Sequence, residues 1–199
     1  MNLYNILNNP KIYNLSQLIL SPGADKGIVR EINNIVSLLT DGKNILDVGS
    51  GPESWLWKIN LYPVGLDISS KYIEYFNNKS NIKGIVGSAD NIPLKKDSFD
   101  SVWSIGLFHH LPDKVVYESL REMTRVCRRG GNIIIIDGVI PDKILKYFIP
   151  WILRKFDRGK FMRNENELMN LMPIKRIKFK KRTVYSHNGL EAIILIINC

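Results

Sequence analysis

The chain has 199 residues, 45% of them hydrophobic and 24% charged, enough apolar side chain for one domain with a sizeable core and too much for disorder. A formal net charge of +9 favours acidic partners such as nucleic acid, anionic lipid or phosphorylated substrates without requiring any of them. The N-terminus lacks the basic start and apolar run of a secretory signal, and no apolar run approaches the roughly 20 residues of a membrane span. Cys127 and Cys199 stand far apart in no metal-ligand spacing, so neither a disulfide framework nor a zinc site is expected, and a cytoplasmic location is.

Leu3, Ile6, Leu7, Leu15, Leu18 and Ile19 recur at helical spacing over 2–20. Ile28, Ile32, Ile35, Val36 and Leu39 do so over 25–40, with Asp25 as candidate cap. Together they predict an N-terminal helical cap at 1–41. The core follows at 44–138 as strands alternating with helices. Strands are expected at 44–48, 63–67, 84–86, 98–105 and 131–137, and helices at 54–61, 70–79 and 113–128. "GNIIIID" (131–137) is continuously apolar, as in a parallel strand buried on both faces. A helical insertion or lid at 139–173 comes next. Two strand-like runs at 174–185 and 191–198, joined by "SHNG", then form a hairpin. The expected fold is a single α/β domain at 1–199. Its sheet is doubly wound, Rossmann-like, mostly parallel and seven-stranded, with an antiparallel C-terminal strand.

"ILDVGSGPESW" (45–55) runs from a strand through a glycine loop towards a helix. Gly49 and Gly51 allow close approach of a ligand to the backbone, and the next helix start offers free N–H groups. Asp67 ends the second strand, where a carboxylate can accept both hydroxyls of a ribose. Asp90 follows the third strand, where it can accept from an adenine amine. Each acid also has a plain local role, a helix cap or a turn residue. Three such features at the tips of three successive strands point jointly to a nucleotide-like ligand.

In these segments the chain resembles the class I S-adenosylmethionine-dependent methyltransferases, of the small type 11 group. "ILDVGSG" resembles the family's first motif, and "GLDIS" its second-strand acid. "GSADNIPLKKDSFDSVWSIGLFHHLPD" resembles the run through the adenine-side acid to the His-His-Leu-Pro-Asp turn, and "LREMTRVCRRGGNIIIID" the following helix, turn and fifth strand. The resemblance implies methyl transfer from S-adenosylmethionine, with S-adenosylhomocysteine as product. It places the backbones of Gly49 and Gly51 beside the methionine moiety, Asp47 near its amino group, Asp67 on the ribose and Ile68 against the adenine. Asp90 reads the adenine amine with Ala89 and Asn91 as backbone neighbours, and Ser104 or Ile105 approaches the methionine end through backbone. Glu53 departs from the family by replacing a third glycine. It is either a helix-start residue or an acceptor for the cofactor's ammonium group. A nicotinamide-dependent oxidoreductase is the competing class, disfavoured by Ser54 at the third glycine of its motif and by the terminal hairpin. A cofactor-binding protein without catalysis is a further alternative.

His109 and His110 are the candidate general base, against a structural turn before Pro112. Tyr13 and Gln17, one helical step apart, are candidates for the acceptor side. Residues 142–161 carry an apolar stripe beside lysines and arginines. That suits a crossover helix, a lid over an apolar or lipid-like acceptor, or a peripheral membrane contact. "KRIKFKKR" (175–182) suits either an RNA-binding strand or an edge strand guarded by lysines, and the latter is favoured. The expected partner is a small-molecule acceptor, with oligomeric state open.

Overall fold

A computed structural model describes residues 22–39, 44–79, 82–141 and 160–199. The predicted helix at 2–20, Tyr13, Gln17 and nearly all of the 142–161 stripe lie outside the described residues. Four α-helices are described, α1 (Ala24–Val36), α2 (Ser70–Lys79), α3 (Asp113–Val126) and α4 (Glu165–Met169). The strands are β1 (Ile45–Val48), β2 (Val64–Asp67), β3 (Gly84–Val86), β4 (Phe99–Ile105), β5 (Cys127–Val139), β6 (Ile177–Val184) and β7 (Glu191–Asn198).

The strands form one seven-stranded sheet in the order β3-β2-β1-β4-β5-β7-β6. β1 to β5 pair in parallel, and β7 runs antiparallel to both β5 and β6. The expected doubly wound sheet with a reversed C-terminal strand is therefore present. Strand order reverses between β1 and β4, so a crevice opens outside their carboxyl ends, where ligands of such sheets bind.

Alternation along the buried strands builds an apolar layer on each face. Ile133 and Ile135 pack with Leu46, Val102, Leu120, Met123 and Leu195. Ile134 and Ile136 pack on the other face with Trp103, Ile194, Ile196 and α1 through Ile28, Ile32 and Ile35. This is why "IIII" contains no polar interruption.

Several local expectations need correction. The helix expected at 54–61 is a 3₁₀ segment over Trp55–Ile59, capped by Ser54 Oγ accepting from Leu56 N–H and ended by Asn60 in the left-handed region. Ser54 and Asn60 leave room for little more than one turn, and Pro63 leads directly into β2. Asp25 does not cap α1. Gly23, with φ 77°, holds that position, and the Asp25 carboxylate accepts from Lys58 Nζ at 2.5 Å. "RRGG" lies in an irregular start of β5, with Gly130 at φ 77° and a register shift opposite Phe99 and Ser101.

The cysteines are joined in a disulfide across 72 residues, with Cα atoms 6.3 Å apart, against the sequence expectation. β7 returns beside β5, so Cys199 N–H donates to Gly131 O and Gly130 N–H to Cys199 O. Topology creates that proximity, and cysteine spacing carries no trace of it.

β6 is the edge strand, as expected. Lys180 pairs with Glu165, Lys181 with the buried Glu31, and Arg182 with both Glu165 and Glu191. Half of the basic side chains of 175–182 therefore meet acids of the same chain. Among the described residues no helix is long and apolar enough to cross a membrane.

Candidate cofactor and acceptor site

β1 delivers the glycine loop to the strand-order switch. Gly49 and Gly51 adopt φ of 75° and 63°, in the left-handed region where a side chain is strained. Gly49 N–H and Ser50 N–H both donate to Leu66 O, at 2.7 and 3.1 Å, which folds the loop against β2. A Cβ on Gly49 would meet Leu107 Cδ1 at 2.8 Å, so this glycine allows the loop and the end of β4 to approach each other. A Cβ on Gly51 would meet nothing within 4 Å, and the loop's outer face is open.

Asp67 is tied into the same loop. Its carboxylate accepts from Gly51 N–H at 3.0 Å and from Ser69 N–H at 2.8 Å. Burial raises its pKa, while those two amide bonds pull the other way. The Ser69 bond is the local cap role weighed from the sequence, and the Gly51 bond couples the acid to the glycine loop. Ile68 beside it is 75% exposed, an apolar platform at the same strand tip.

Asp47 lies beneath the loop, 2% exposed, with Ser54 Oγ–H donating to it at 2.6 Å. Burial pushes its pKa up to about 7, the Ser54 bond opposes this, and the nearby Asp67 adds to it. Glu53 precedes the Ser54 cap instead of occupying the helix, and its carboxylate accepts from Lys79 Nζ at 2.5 Å.

Asp90 accepts from Ser88 Oγ in a tight turn, where Ser88 and Asn91 bridge and Ala89 is partly buried. α3 fixes the segment that follows. Glu122 accepts from Ile92 N–H at 2.9 Å, and Arg125 donates to Ile92 O and Leu94 O at 2.8 and 2.9 Å. The Glu-x-x-Arg pair of "REMTRV" thus holds the loop carrying Asp90.

Ser104 and Ile105 are both buried within β4. The residue that leaves the strand is Gly106, at φ 72°, and a Cβ there would lie 3.7 Å from His109 Cε1. Gly106, which follows Ser104 and Ile105, thus lies beside the histidine turn. Its glycine in "SIGLFHH" was the available signal.

The histidines separate into two environments. His109 Nδ1 lies 2.6 Å from Asp137 Oδ1, with the side chains 11% and 2% exposed. Phe108 N–H donates to Asp137 Oδ2 at 2.6 Å, and the Phe108 side chain is fully buried. Burial alone would raise the Asp137 pKa. The charge and hydrogen bond of His109, the Phe108 amide and His110 outweigh it and hold the carboxyl below its ordinary value. Asp137 is thus ionised at neutral pH and accepts only, so Nδ1 carries the hydrogen and Nε2 of a neutral ring keeps its lone pair. His110 is exposed and lies against His109, with ring centroids 4.1 Å apart and the planes tilted by 42°.

Asp137 closes the apolar run "IIIID", a position that carries no candidate role in the sequence reading. An acid ending a four-isoleucine buried strand was a readable signal. Arg163, buried beside this turn, had none, being one cation in the polar stretch "RNENE".

Residues 46–135 match the model of the Methyltransferase domain family. The chain is 33% identical over 141 residues to an uncharacterized protein of Methanocaldococcus jannaschii, covering 71% of this chain and 52% of that one. It is 33% identical over 110 residues to Methyltransferase GfsG of Streptomyces halstedii, covering 50% of this chain and 39% of that protein. The chain thus spans about half or less of the length of these relatives. The crystal structure of a SAM-dependent methyltransferase from Thermotoga maritima superimposes with a TM-score of 0.72 at 18% identity, covering 98% of this chain and all of that one, a likeness of fold.

Proposed function

We propose that the chain is a class I S-adenosylmethionine-dependent methyltransferase, a reading supported by the family match over 46–135 and by its relatives, and that it methylates a hydroxyl of a small, largely apolar acceptor, with His109 as general base. The residues present suit the cofactor. Gly51 has open space before it, Asp67 closes β2 and is bonded to the loop, and Ile68 offers an exposed apolar face. Gly49, Gly51 and Asp47 would hold the methionine end, Asp67 the ribose, and Ile68 with the Asp90 turn the adenine. When bound, the sulfonium cofactor supplies an already activated methyl group and leaves as S-adenosylhomocysteine.

The protein's own task is to align the acceptor, exclude water and manage one proton. A base helps when the nucleophile carries a proton of high pKa, as a hydroxyl does. His109 would take that proton at Nε2, and the imidazolium so formed would be stabilised by Asp137 through Nδ1–H. The observation that carries the proposal is the 2.6 Å contact between His109 and an ionised, buried Asp137. Leu107 and Phe161, the latter 38% exposed, give the histidine turn apolar neighbours suited to an apolar acceptor. The pairing of Lys180, Lys181 and Arg182 with acids supports a small acceptor over RNA.

The test is a screen for S-adenosylhomocysteine release across hydroxylated lipids, quinols, small metabolites and RNA fragments, comparing wild type with His109→Ala. Release from a hydroxylated small molecule that falls at least 100-fold in the variant is expected. Release from RNA alone, or an undiminished rate in the variant, would refute the acceptor class or the base respectively.

A further inference from the structure

The three-residue 3₁₀ turn Phe108–His110 is too short to hold itself, and the grip on it comes from two sides. Asp137 takes Phe108 N–H and His109 Nδ1 from within the sheet. From the other side comes Arg163, 7% exposed. Its Nη1 donates to Phe108 O at 2.9 Å and Phe161 O at 3.0 Å, and its Nη2 to Leu111 O at 2.7 Å. Its Nε and Nη2 both reach Asp113 Oδ1, at 2.9 and 2.6 Å. Arg163 O accepts from Ile140 N–H at 2.9 Å, and Phe161 N–H donates to His109 O at 3.1 Å. The chain at 161–163 is thereby laced to both the end of β5 and the histidine turn.

We infer that Arg163 is a positioning residue, fixing the carbonyls on either side of His109 so that its ring stays registered on Asp137. A buried guanidinium is costly unless its donors are matched. Here it meets three carbonyls and one carboxylate, all in or beside the turn that carries the base. A lysine has no planar fork and cannot reproduce this set. The catalytic meaning of the clamp rests on His109 being the base. The clamp itself does not.

The chain has three histidines, so nitrogen-15 spectra of the full-length protein labelled at histidine resolve them individually, with His109→Gln for assignment. At pH 9 wild-type His109 is expected as a single Nδ1–H tautomer. In Arg163→Met that signature is expected to be lost, replaced by a mixture of tautomers, while His187 is unmoved. An Arg163 that only stabilises the fold would lower the melting temperature and leave the His109 tautomer intact, and that result would overturn the inference. Should Arg163→Met fail to fold, the same criterion applies to Arg163→Lys, which keeps the charge but not the fork. The base assignment is judged separately, on wild type alone: a His109 in the other tautomer refutes the base, whereas an unchanged variant spectrum refutes the clamp.

Discussion

Asp47→Asn changes one oxygen for an amide and removes a buried ionisation. In the folded chain Asp47 has a pKa of about 7 against an ordinary 3.8. The folded state thus binds this proton more tightly than the unfolded state. The resulting stabilisation is fully present below pH 3.8 and is lost as pH rises through about 7. Between pH 5 and pH 8 the wild type should lose about 3 kcal/mol through this group alone. The asparagine variant loses none of it, so its stability relative to wild type should rise by that amount over the same interval. For a chain of this size this corresponds to a relative gain of about 6–12 °C in Tm. The assay is a series of urea and thermal unfolding curves of both proteins from pH 5 to pH 8. Comparing the two proteins cancels the other titrating groups and the fixed cost of burying an amide. Cofactor titration should show the variant binding S-adenosylmethionine more weakly. A stability difference that stays flat across the interval would refute the claim that Asp47 is an acid kept under the loop at the fold's expense.

Asp67→Ala should lower affinity for S-adenosylmethionine by about 10- to 100-fold by calorimetry, the worth of hydrogen bonds to one charged group. Equal binding would remove Asp67 from the ribose position. Asp137→Asn should leave that affinity unchanged while lowering methyl transfer by at least about 100-fold, because the His109 tautomer is no longer enforced. Gly51→Ala should fold, since its Cβ meets nothing within 4 Å, at a cost of about 1–2 kcal/mol for φ of 63°. Its cofactor affinity should fall as the methyl enters the open face of the loop. Glu53→Gly should change that affinity little if Lys79 is the only partner the carboxylate serves, and a large loss would show a contact with the ammonium group.

The order of elements was readable because the chemistry is local. Glycine at 49 and 51, an acid near the end of β1 and one ending β2, and an uninterrupted isoleucine run each report their own backbone environment. What depended on a distant partner was not readable. Ser54 reads as the first residue of a helix until its hydroxyl is seen to cap Leu56 and bond Asp47, which confines the segment to a 3₁₀ turn. Glu53 reads as dipole chemistry until Lys79 arrives from α2. Cys127 and Cys199 read as unrelated because 72 residues separate them. The base pair was half visible: the histidines stood out, whereas Asp137 lies 28 residues away. Arg163 was invisible because an arginine that binds carbonyls leaves no pattern in the residues it binds.

The position of β7 has a consequence for how the molecule assembles. β7 is the last strand in chain order, yet it lies between β5 and β6. Until it arrives, β5 presents Ile133–Ile136 along an unpaired edge, and β6 has no partner within the sheet. The parallel half can form its β1–β4–β5 pairings beforehand, but its most hydrophobic strand then stands as an open template for foreign strands. β7 reaches β6 through a local hairpin, whereas its pairing with β5 is a contact of long sequence separation that forms slowly. The lysines of β6 guard the finished sheet, whereas the hazardous edge exists only during assembly, and β7 is the element that removes it.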